Sequence, residues 1–343
     1  MEKRDIQRIM LADIRNWFQL VIFFITTGIG LQFFIYVHQA MGDGMITTTR
    51  PPGVEGFLPI GALMGWKRFI LTGEWDKVHP AAMVILGFAV ILSFFLRKSF
   101  CSWFCPVGTL SEWLWKIGYK ILGRNILIPK TIDLPLRSLK YILLSFFLYA
   151  VAGMDVFQIS NFIESPYYKL ADVKMLFFFT KMTTLTAVVL SVLFLLSLLF
   201  KNFWCRYLCP YGALLGLFSL ASPTVIERDQ KKCIDCNRCS QICPSFLPVS
   251  KKHHIQSPEC TGCIDCIDSC PVEDAIVLKT KGFSSRFWSS QRIGLFIGLF
   301  FIFIVYIATI TGNWGRHISD DEFRMHLKTI DAPHNTHPKM KFR

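Results

Sequence analysis

Eight of the twelve cysteines of the chain lie between residues 233 and 271, in two copies of one spacing. The copies read CIDCNRCSQICP and CTGCIDCIDSCP, so each is Cys-x2-Cys-x2-Cys-x3-Cys-Pro. In proteins with paired [4Fe-4S] clusters, three cysteines of one copy and the fourth cysteine of the other hold each cluster. The spacing therefore predicts two ligand sets: Cys233, Cys236, Cys239 and Cys270 for one cluster, and Cys243, Cys260, Cys263 and Cys266 for the other.

Zinc and disulfides are the competing interpretations of these cysteines. Structural zinc sites also use Cys-x2-Cys pairs, but they close with four ligands from two pairs and need neither the third cysteine nor the trailing Cys-Pro. A disulfide framework suits secreted domains, whereas thiolate ligation suits a reducing compartment. The spacing favours two [4Fe-4S] clusters over both alternatives.

The other four cysteines form a second repeat, in FCSWFCPVGTL and FWCRYLCPYGALL. Each copy contains Cys-x3-Cys-Pro-x-Gly-x-Leu, which pairs Cys101 with Cys105 and Cys205 with Cys209. Residues four apart lie on one face of a helical turn, so each pair can present two thiolates together. Three interpretations stay open: a metal site such as a third [4Fe-4S] cluster, two redox-active dithiols, or packing of small apolar side chains.

The composition indicates a membrane protein. Of the 343 residues, 52% are hydrophobic and only 18% are charged, below the roughly 25% charged residues of soluble domains. The net charge of +13 does not indicate a nucleic-acid-binding protein, because the chain has no readout motif and its basic residues flank apolar segments. The charged N-terminal segment lacks a small-residue cleavage site, which argues against a cleaved signal peptide.

The apolar segments predict a mainly α, polytopic membrane helical protein with about five transmembrane helices and an inserted bacterial-type two-cluster ferredoxin module. Between the first two spans, Gly and Pro interrupt the apolar runs of residues 42–77, which predicts an interfacial or re-entrant segment. Residues 155–174 are predicted to form a loop. The predicted spans are residues 17–37, 81–96, 141–154, 182–200 and 293–311.

The distribution of basic residues predicts the orientation. Of the 37 lysines and arginines, 24 lie on the side of the spans that holds the N-terminus, and basic residues concentrate on the cytoplasmic side. The chain is therefore predicted to lie in a bacterial inner membrane. The cysteine-bearing segments are on its cytoplasmic side, and the C-terminus is in the periplasm. The predicted domains are residues 1–227 (membrane domain with four spans), 228–282 (ferredoxin module), 283–312 (fifth span) and 313–343 (exterior tail).

Together, the spans, both cysteine repeats and the segment RPPGVEGFLPIGAL resemble the NapH / NosR / CcoG group of membrane polyferredoxins. The NapH type is most similar, over most of residues 15–280. The resemblance implies a quinol dehydrogenase subunit of a hetero-oligomeric complex, which takes electrons from menaquinol or ubiquinol and passes them to periplasmic partners such as multihaem c-type cytochromes. The fifth span and the exterior tail depart from the four-span NapH type, and 31 tail residues are too few for the exterior β-domain of the CcoG type.

A quinol-oxidising site needs an apolar slot at membrane depth and a group that accepts protons. The segment shared with the family makes Arg50 and Glu55 the first candidates, because the intervening Pro-Pro-Gly can form a tight re-entrant backbone. His79 is the next candidate, since imidazole titrates near physiological pH. Asp155 and Glu164 are two further ionisable residues on the same side.

The tail after residue 312 contains four histidines, His317, His326, His334 and His337. Their spacing fits no metal-ligand pattern, so a docking role is predicted, with DDEF at residues 320–323 beginning a short helix. The chain contains no Cys-x2-Cys-His motif and therefore attaches no c-type haem covalently.

Two other functional classes are compatible with these motifs. A CcoG-like copper reductase for oxidase assembly would favour exterior Met or Cys ligands, and no cysteine lies on the predicted exterior side. A membrane redox sensor would use the clusters without turnover. An electron-transfer subunit is the function that the motifs favour.

Overall fold

The computed structural model describes residues 14–126, 128–280, 288–330 and 332 of the chain. The described part is mainly helical, as the sequence predicts, with a single small sheet in the ferredoxin module. Five long apolar helices correspond to the five predicted spans. They are α1 (Ile14–Met41), α3 (Pro80–Leu96), α5 (Lys130–Gly153), α9 (Thr184–Leu199) and α13 (Ser290–Ile310).

Three of these helices, α1, α5 and α13, are long and apolar enough to cross a membrane. A fourth candidate span is a pair of helices, α8 (Ala171–Thr180) and α9, which are bent by 78° at a short break. Helix α3 is apolar but only 17 residues long, short of the roughly 20 residues that span a bilayer core. The described residues therefore contain three to four candidate spans, as expected for a membrane protein, and the count of five stays a prediction.

Shorter helices connect the long ones. A 3-10 turn at Pro52–Phe57 precedes α2 (Pro59–Thr72), and α4 (Pro106–Leu122) follows the first Cys-x3-Cys-Pro motif. After the second motif comes α10 (Pro210–Leu220). A proline occupies the first turn of each of these helices, where its missing N–H leaves no hydrogen bond unmade.

The segment predicted as a loop, residues 155–174, is instead largely helical. It contains α6 (Val156–Glu164) and α7 (Pro166–Lys169), and α8 starts within it. Local capping explains the difference: Gln158 N donates to Asp155 Oδ1 over 2.7 Å, Asp155 N donates back to Gln158 Oε1, and Ser165 caps α7. Reciprocal caps of this kind satisfy the free amides at a helix start.

The ferredoxin module is built on a three-stranded antiparallel sheet in the order β2-β1-β3. In the register of the sheet, Ile226 pairs with Ile255 on one side and with Leu278 on the other. Alternate residues of β1 are buried, as expected for a sheet with one packed face. The strands are β1 (Thr224–Arg228), β2 (His254–Ile255) and β3 (Ile276–Thr280), and the short helices between them are α11 (Arg238–Ile242) and α12 (Asp265–Asp268).

The chain divides into two compact units. The first unit comprises Met1–Phe24, Ala89–Leu144 and Ser191–Phe300, and it contains all twelve cysteines. The second unit comprises Ile25–Phe88, Ser145–Leu190 and Phe301–Arg343. Its last described helix, α14 (Asp320–Lys328), begins at the DDEF segment as predicted. The buried side chains Phe323 and Leu327 of α14 pack with Phe33, Tyr36 and Leu170 in one core of this unit.

Candidate functional site

The first predicted ligand set lines one cavity of the ferredoxin module. Its four cysteines come from both copies of the motif, and apolar side chains such as Ile234 and Ile276 share the lining. Because Cys236 is exposed to solvent, we name these cysteines the outer set. The outer set is Cys233, Cys236, Cys239 and Cys270.

The second predicted ligand set lines a separate cavity, again with one cysteine from the first copy of the motif and three from the second. All four cysteines are buried, and Leu247, Val249 and Ile255 cover them. The amide of Leu247 lies 3.4 Å from Cys243 Sγ and donates to it. We name these cysteines the inner set: Cys243, Cys260, Cys263 and Cys266.

The two copies of the motif share an unusual backbone turn. Asn237 and Ile264 each follow the second cysteine of their copy, and both have φ of 59°. Asparagine adopts this left-handed conformation readily, but a β-branched isoleucine does so only at a cost in strain energy. The same turn at both positions starts α11 and α12, the helices that carry the third cysteines, Cys239 and Cys266.

The donor atoms of both sets fit [4Fe-4S] clusters. Each cavity offers four thiols in an apolar surrounding, which is the ligand chemistry of such clusters. Within the described ranges, no three His, Cys, Asp or Glu side chains converge on the position of a single metal ion.

The two Cys-x3-Cys-Pro motifs fold alike. Each forms one π turn, Phe100–Phe104 and Trp204–Leu208, rather than the α turn that the four-residue spacing predicted. The turns close when Cys105 N donates to Phe100 O over 2.9 Å and Cys209 N donates to Trp204 O over 3.0 Å. Single π turns occur frequently at functional sites in helical segments.

The glycine of the first motif has a steric reason. A Cβ atom on Gly108 would overlap the carbonyl oxygen of Cys101, so only glycine allows α4 to start this close to the π turn. In the second copy, Gly212 N donates to Cys209 Sγ over 3.2 Å. The Pro-x-Gly part of the repeat therefore brings helix-starting amides close to the cysteine sulfur atoms.

The four cysteines of these motifs lie close enough to affect one another's ionisation, so we name them the paired-motif site: Cys101, Cys105, Cys205 and Cys209. Burial raises the pKa of the Cys105 thiol to about 11. Burial also raises the pKa of the Cys101 and Cys205 thiols, and neighbouring cysteines add to the shift. Reactive dithiols need a lowered thiol pKa, whereas a bound metal cation offsets the cost of buried thiolates.

Hydrogen bonds join the paired-motif site to the inner set. Ser102 Oγ, between Cys101 and Cys105, donates to Thr261 O over 2.7 Å, and Trp103 Nε1 donates to Gly262 O over 3.1 Å. Gly262 approaches the backbone so closely that a Cβ atom would lie 2.8 Å from Leu96 O. The backbone between Cys260 and Cys263 is therefore fixed directly against the first Cys-x3-Cys-Pro motif.

Buried charged side chains surround the same contact. Lys98 Nζ donates to Pro258 O over 3.0 Å, and Lys140 Nζ lies 2.7 Å from both carboxylate oxygens of Glu259. Lys98 and Lys140 both influence the Cys101 and Cys209 thiols electrostatically. The site thus contains two cations and one carboxylate beside the four thiols.

A second buried ion network lies beside the inner set. Arg15 donates to both carboxylate oxygens of Glu112, over 2.8 and 2.7 Å, and to Asp265 over 3.0 Å. Gln19 Nε2 donates to Glu112 over 3.0 Å. Because Asp265 lies between Cys263 and Cys266, this network connects α1, α4 and the inner set.

The second unit brings together the three residues proposed for quinol. Arg50 Nη1 lies 2.7 Å from Glu55 Oε1, and His79 Nδ1 lies 3.5 Å from the same oxygen. Arg50 Nη2 lies 2.6 Å from Asp172 Oδ2. These four side chains, which we name the Arg50 cluster, are at most 5% exposed.

Backbone groups support the Arg50 cluster. Glu55 Oε2 accepts hydrogen bonds from Ala81 N and Ala82 N, over 2.8 and 3.2 Å, at the start of α3. This position is favourable for a carboxylate because free amides and the helix dipole face it. His79 Nε2 lies 2.8 Å from Tyr168 O and donates to it, which leaves Nδ1 facing Glu55 and Arg50.

Charges within the Arg50 cluster shift the pKa values of three of its members, His79, Arg50 and Asp172. Burial lowers the pKa of His79, but the hydrogen bond and charge of Glu55 outweigh it, so the pKa is raised above the usual 6.5. The charges of Asp172 and Glu55 likewise outweigh burial and raise the pKa of Arg50. The imidazole of His79 therefore accepts a proton more readily than an isolated histidine.

The structure brings together Arg50, Glu55 and His79, the three residues that the sequence suggested for a quinol site. It adds Asp172, which the sequence did not suggest, and the quinol site itself stays a prediction. The other two candidates lie outside the cluster: Asp155 caps α6 and Glu164 ends it, and both are exposed. Asp172 belongs to no motif, and its only signal in the sequence is that it is an acidic residue shortly before the apolar segment LFFFT. Its role becomes visible only when α8 packs against the 3-10 turn that carries Glu55.

The described part of the tail packs within the second unit. Tyr36 Oη donates to Asp320 Oδ1 over 2.7 Å, and Arg316 stacks on Phe323 with 4.3 Å to the ring centroid. His317 Nε2 contacts Gly312 O and His326 lies near Glu322, so these two histidines do not form a common site. His334 and His337 lie outside the described residues.

Two family models match the chain. One, described as a 4Fe-4S binding domain, matches residues 78–126 and 182–229, the two segments that carry the Cys-x3-Cys-Pro motifs. The other, described as a 4Fe-4S dicluster domain, matches residues 225–271, which contain the outer and inner sets. The matches support iron–sulfur clusters as cofactors of this chain. No solved structure matches the chain.

The chain is similar to curated bacterial proteins. It is 40% identical to YccM of Escherichia coli K12, named for electron transport, over 89% of the chain and 87% of YccM. It is 29% identical to the methylamine utilization ferredoxin-type protein MauN of Methylorubrum extorquens, over 64% of the chain and 74% of MauN. It is 27% identical to the ferredoxin-type protein NapH of E. coli K12, over 62% of the chain and 71% of NapH.

These matches confirm the family that the sequence motifs indicate. YccM aligns with 89% of the chain, whereas NapH and MauN each align with somewhat less than two thirds of it. The chain belongs to the NapH/NosR-type family of membrane polyferredoxins, and it is an electron-transport protein with 4Fe-4S ferredoxin-type domains.

Proposed function

We propose that the chain is the quinol-oxidising subunit of a membrane electron-transfer complex. In this proposal the outer and inner sets each hold a [4Fe-4S] cluster, and the paired-motif site holds a third. The clusters supply one-electron storage at potentials that the surrounding protein sets. Menaquinol or ubiquinol is the substrate, and a periplasmic c-type cytochrome or another redox subunit is the partner.

The observation that carries the proposal is the Arg50 cluster. Three residues suggested for a quinol site, two from the segment RPPGVE and His79 from just before α3, are joined in one buried network. Intramembrane or buried ionisable groups of this kind are costly and are retained mainly for function. The four side chains of the Arg50 cluster differ in charge. The network therefore contains both a base and groups that stabilise the protonated form of that base.

His79 is the proposed proton acceptor. Its Nε2 hydrogen is committed to Tyr168 O, so a quinol hydroxyl can transfer its proton only to Nδ1. The imidazolium that results is stabilised by Glu55, 3.5 Å from Nδ1, and by the charge of Asp172. Arg50 holds both carboxylates in place through its ion pairs with Glu55 and Asp172.

A third cluster is proposed for the paired-motif site rather than redox dithiols. The support is the raised pKa of the buried thiols, the two cationic side chains beside them, and the match of both motif segments to a 4Fe-4S binding domain. Four buried thiolates without a bound cation would carry a large uncompensated charge.

We propose that the protein lies in the bacterial inner membrane with the ferredoxin module in the cytoplasm and the C-terminus in the periplasm. The support is the excess of basic residues on the side of the module. Fusions of alkaline phosphatase and of green fluorescent protein to residue 343 test this topology. An active phosphatase and a dark fluorescent protein are expected, and the opposite pattern would reverse the orientation.

The quinol site is tested with His79→Gln in membranes that contain the full chain. General-base catalysis contributes about 100-fold or more to a rate, so kcat for reduction of the clusters by a menaquinol analogue is expected to fall by about that factor. Glu164→Gln is the matched control, because Glu164 is an exposed carboxylate outside the cluster. Equal rates in His79→Gln and in the unaltered chain, at equal iron content, would refute the assignment.

A further inference from the structure

The outer and inner sets differ in their access to solvent. All four inner cysteines are buried, whereas Cys236 of the outer set is exposed and Cys233 and Cys270 are partly exposed. Electron tunnelling between proteins slows steeply with distance. The outer set is therefore the place in the ferredoxin module where a soluble molecule can exchange electrons.

Basic side chains flank the outer set on one side. Lys231 and Lys232 are exposed directly before Cys233, and Arg238 follows Cys236 by two residues. Lys251 and Lys252 lie beside them, because Ser250 Oγ donates to Asn237 Oδ1 over 2.7 Å. In the described ranges, no ion pair joins any of these five cations.

The acidic residues near the outer set are placed differently. Asp235 lies 3.2 Å from Arg228 and is paired with it. Glu273 and Asp274 line a cavity together with Cys270, and Asp229 accepts a hydrogen bond from Lys231 N over 2.9 Å. Between the basic residues, Ile234 is 64% exposed, next to both Cys233 and Cys236. The face thus combines an exposed apolar side chain, the most accessible cysteine and cations that form no ion pair with another described residue.

We propose that this face binds a soluble, acidic one-electron carrier protein, and that the outer set exchanges electrons with it. We name it the basic face, and it consists of Lys231, Lys232, Ile234, Arg238, Lys251 and Lys252. In each exchange the reduced carrier loses one electron and the outer set gains it, with no bond made or broken and no proton required; the reverse transfer balances in the same way. The inference rests on the cluster that the proposed function assigns to the outer set.

Charge complementarity argues for an acidic protein partner. Opposite charges on two proteins raise the rate of encounter, and the effect falls as salt screens it. Apolar contact at Ile234 would add short-range attraction once the surfaces meet. An anionic lipid surface is the competing occupant of a basic face, and the experiment separates the two.

The test uses the full chain in phosphatidylcholine nanodiscs and flavodoxin, an acidic flavoprotein, as the probe. Two quantities are measured: the Kd of oxidised flavodoxin, and the second-order rate constant for reduction of the chain by its hydroquinone. The double variant Lys231→Glu/Lys232→Glu reverses the charge, and Lys231→Arg/Lys232→Arg is the matched control that keeps it.

For the unaltered chain and the arginine variant, both affinity and rate are expected to fall as ionic strength rises from about 0.01 to 0.5 M. The glutamate variant is expected to lose at least about tenfold in both at low salt, with unchanged iron content and unchanged reduction by a menaquinol analogue. Equal Kd and equal rate in all three proteins would overturn the inference. Loss of binding to phosphatidylglycerol vesicles with unchanged flavodoxin kinetics would instead assign the face to lipid.

The two proposals fail in different ways. If the outer set holds no cluster, the iron content of the chain is low and flavodoxin transfers no electrons to it. The salt-dependent Kd of flavodoxin still tests whether the basic face binds the carrier. If the quinol site is wrong, the menaquinol analogue fails to reduce the chain while flavodoxin still does.

Discussion

The hydroxyl of Ser102 donates a hydrogen bond to the carbonyl oxygen of Thr261 over 2.7 Å. Ser102 directly follows Cys101, and Thr261 directly follows Cys260. One hydrogen bond therefore connects the paired-motif site with the inner set through a few covalent bonds. Because a hydrogen bond carries electronic coupling better than a gap of the same length, this contact offers a direct electron path between the two sites.

Loss of this hydrogen bond is expected to slow electron transfer between the two sites. Ser102→Ala removes the donor and leaves both cysteine sets intact. After mixing with a menaquinol analogue, freeze-quench EPR is expected to show slower appearance of the inner-set signal, with unchanged iron content. Ser111→Ala is the control, since this buried hydroxyl makes no hydrogen bond within the described part of the chain. Identical kinetics in the two variants would exclude the Ser102 connection.

Iron content distinguishes a third cluster from redox dithiols. Three [4Fe-4S] clusters hold about twelve iron atoms per chain, and Cys105→Ser is expected to lower this to about eight. Cys209→Ser is expected to give the same loss, because both cysteines belong to one site. About eight iron atoms in the unaltered chain and in both variants would favour dithiols.

The ion pair between Lys140 and Glu259 is expected to matter for stability because it is buried. Removing one partner of a buried pair leaves an uncompensated charge, which costs about 3–5 kcal/mol. Glu259→Gln is therefore expected to lower the thermal stability of the first unit clearly. The double variant Glu259→Gln/Lys140→Met is expected to recover part of the loss in a thermal unfolding assay. If the double variant loses as much stability as the single variants Glu259→Gln and Lys140→Met lose together, the two charges do not interact.

Stability of the second unit is expected to depend on pH through His79. Its pKa in the folded protein is raised above 6.5, so the folded state binds the proton more tightly than the unfolded state. The stabilisation is fully present below pH of about 6.5 and is lost as pH rises through the raised pKa. The groups that face His79 are Glu55, Asp172 and Arg50. The unfolding midpoint of the unaltered chain is expected to decline as the pH rises from 5.5 to 9. In His79→Gln this decline is expected to be absent.

The eight cysteines of the ferredoxin module illustrate what the sequence can predict. Their spacing alone assigns Cys270 to the outer set and Cys243 to the inner set, and the structure places both in those cavities. Arg50 and Glu55 lie five residues apart in a segment shared with the family, so their proximity is also visible in the sequence. Local spacing carries this information because each group is formed by residues close together in the chain or by a repeated motif.

Contacts between distant single residues were not predictable in the same way. Asp172 meets Arg50 across 122 positions, and Glu112 meets Arg15 across 97. Neither carboxylate belongs to a motif, and each lies in a helix whose partner is decided by tertiary packing. The π turns were also not predicted, because a spacing of four residues is compatible with an α turn, and the different closure depends on the proline after each second cysteine.

Reduction of the purified full chain by menadiol, a soluble menaquinol analogue, tests the central proposal most directly. The chain in nanodiscs, with its iron content measured first, is expected to lose its iron–sulfur absorbance on mixing with menadiol. The same bleaching is expected to be about 100-fold slower in His79→Gln. A chain that contains at least about eight iron atoms and is bleached by dithionite, but never by menadiol, would contradict the proposal.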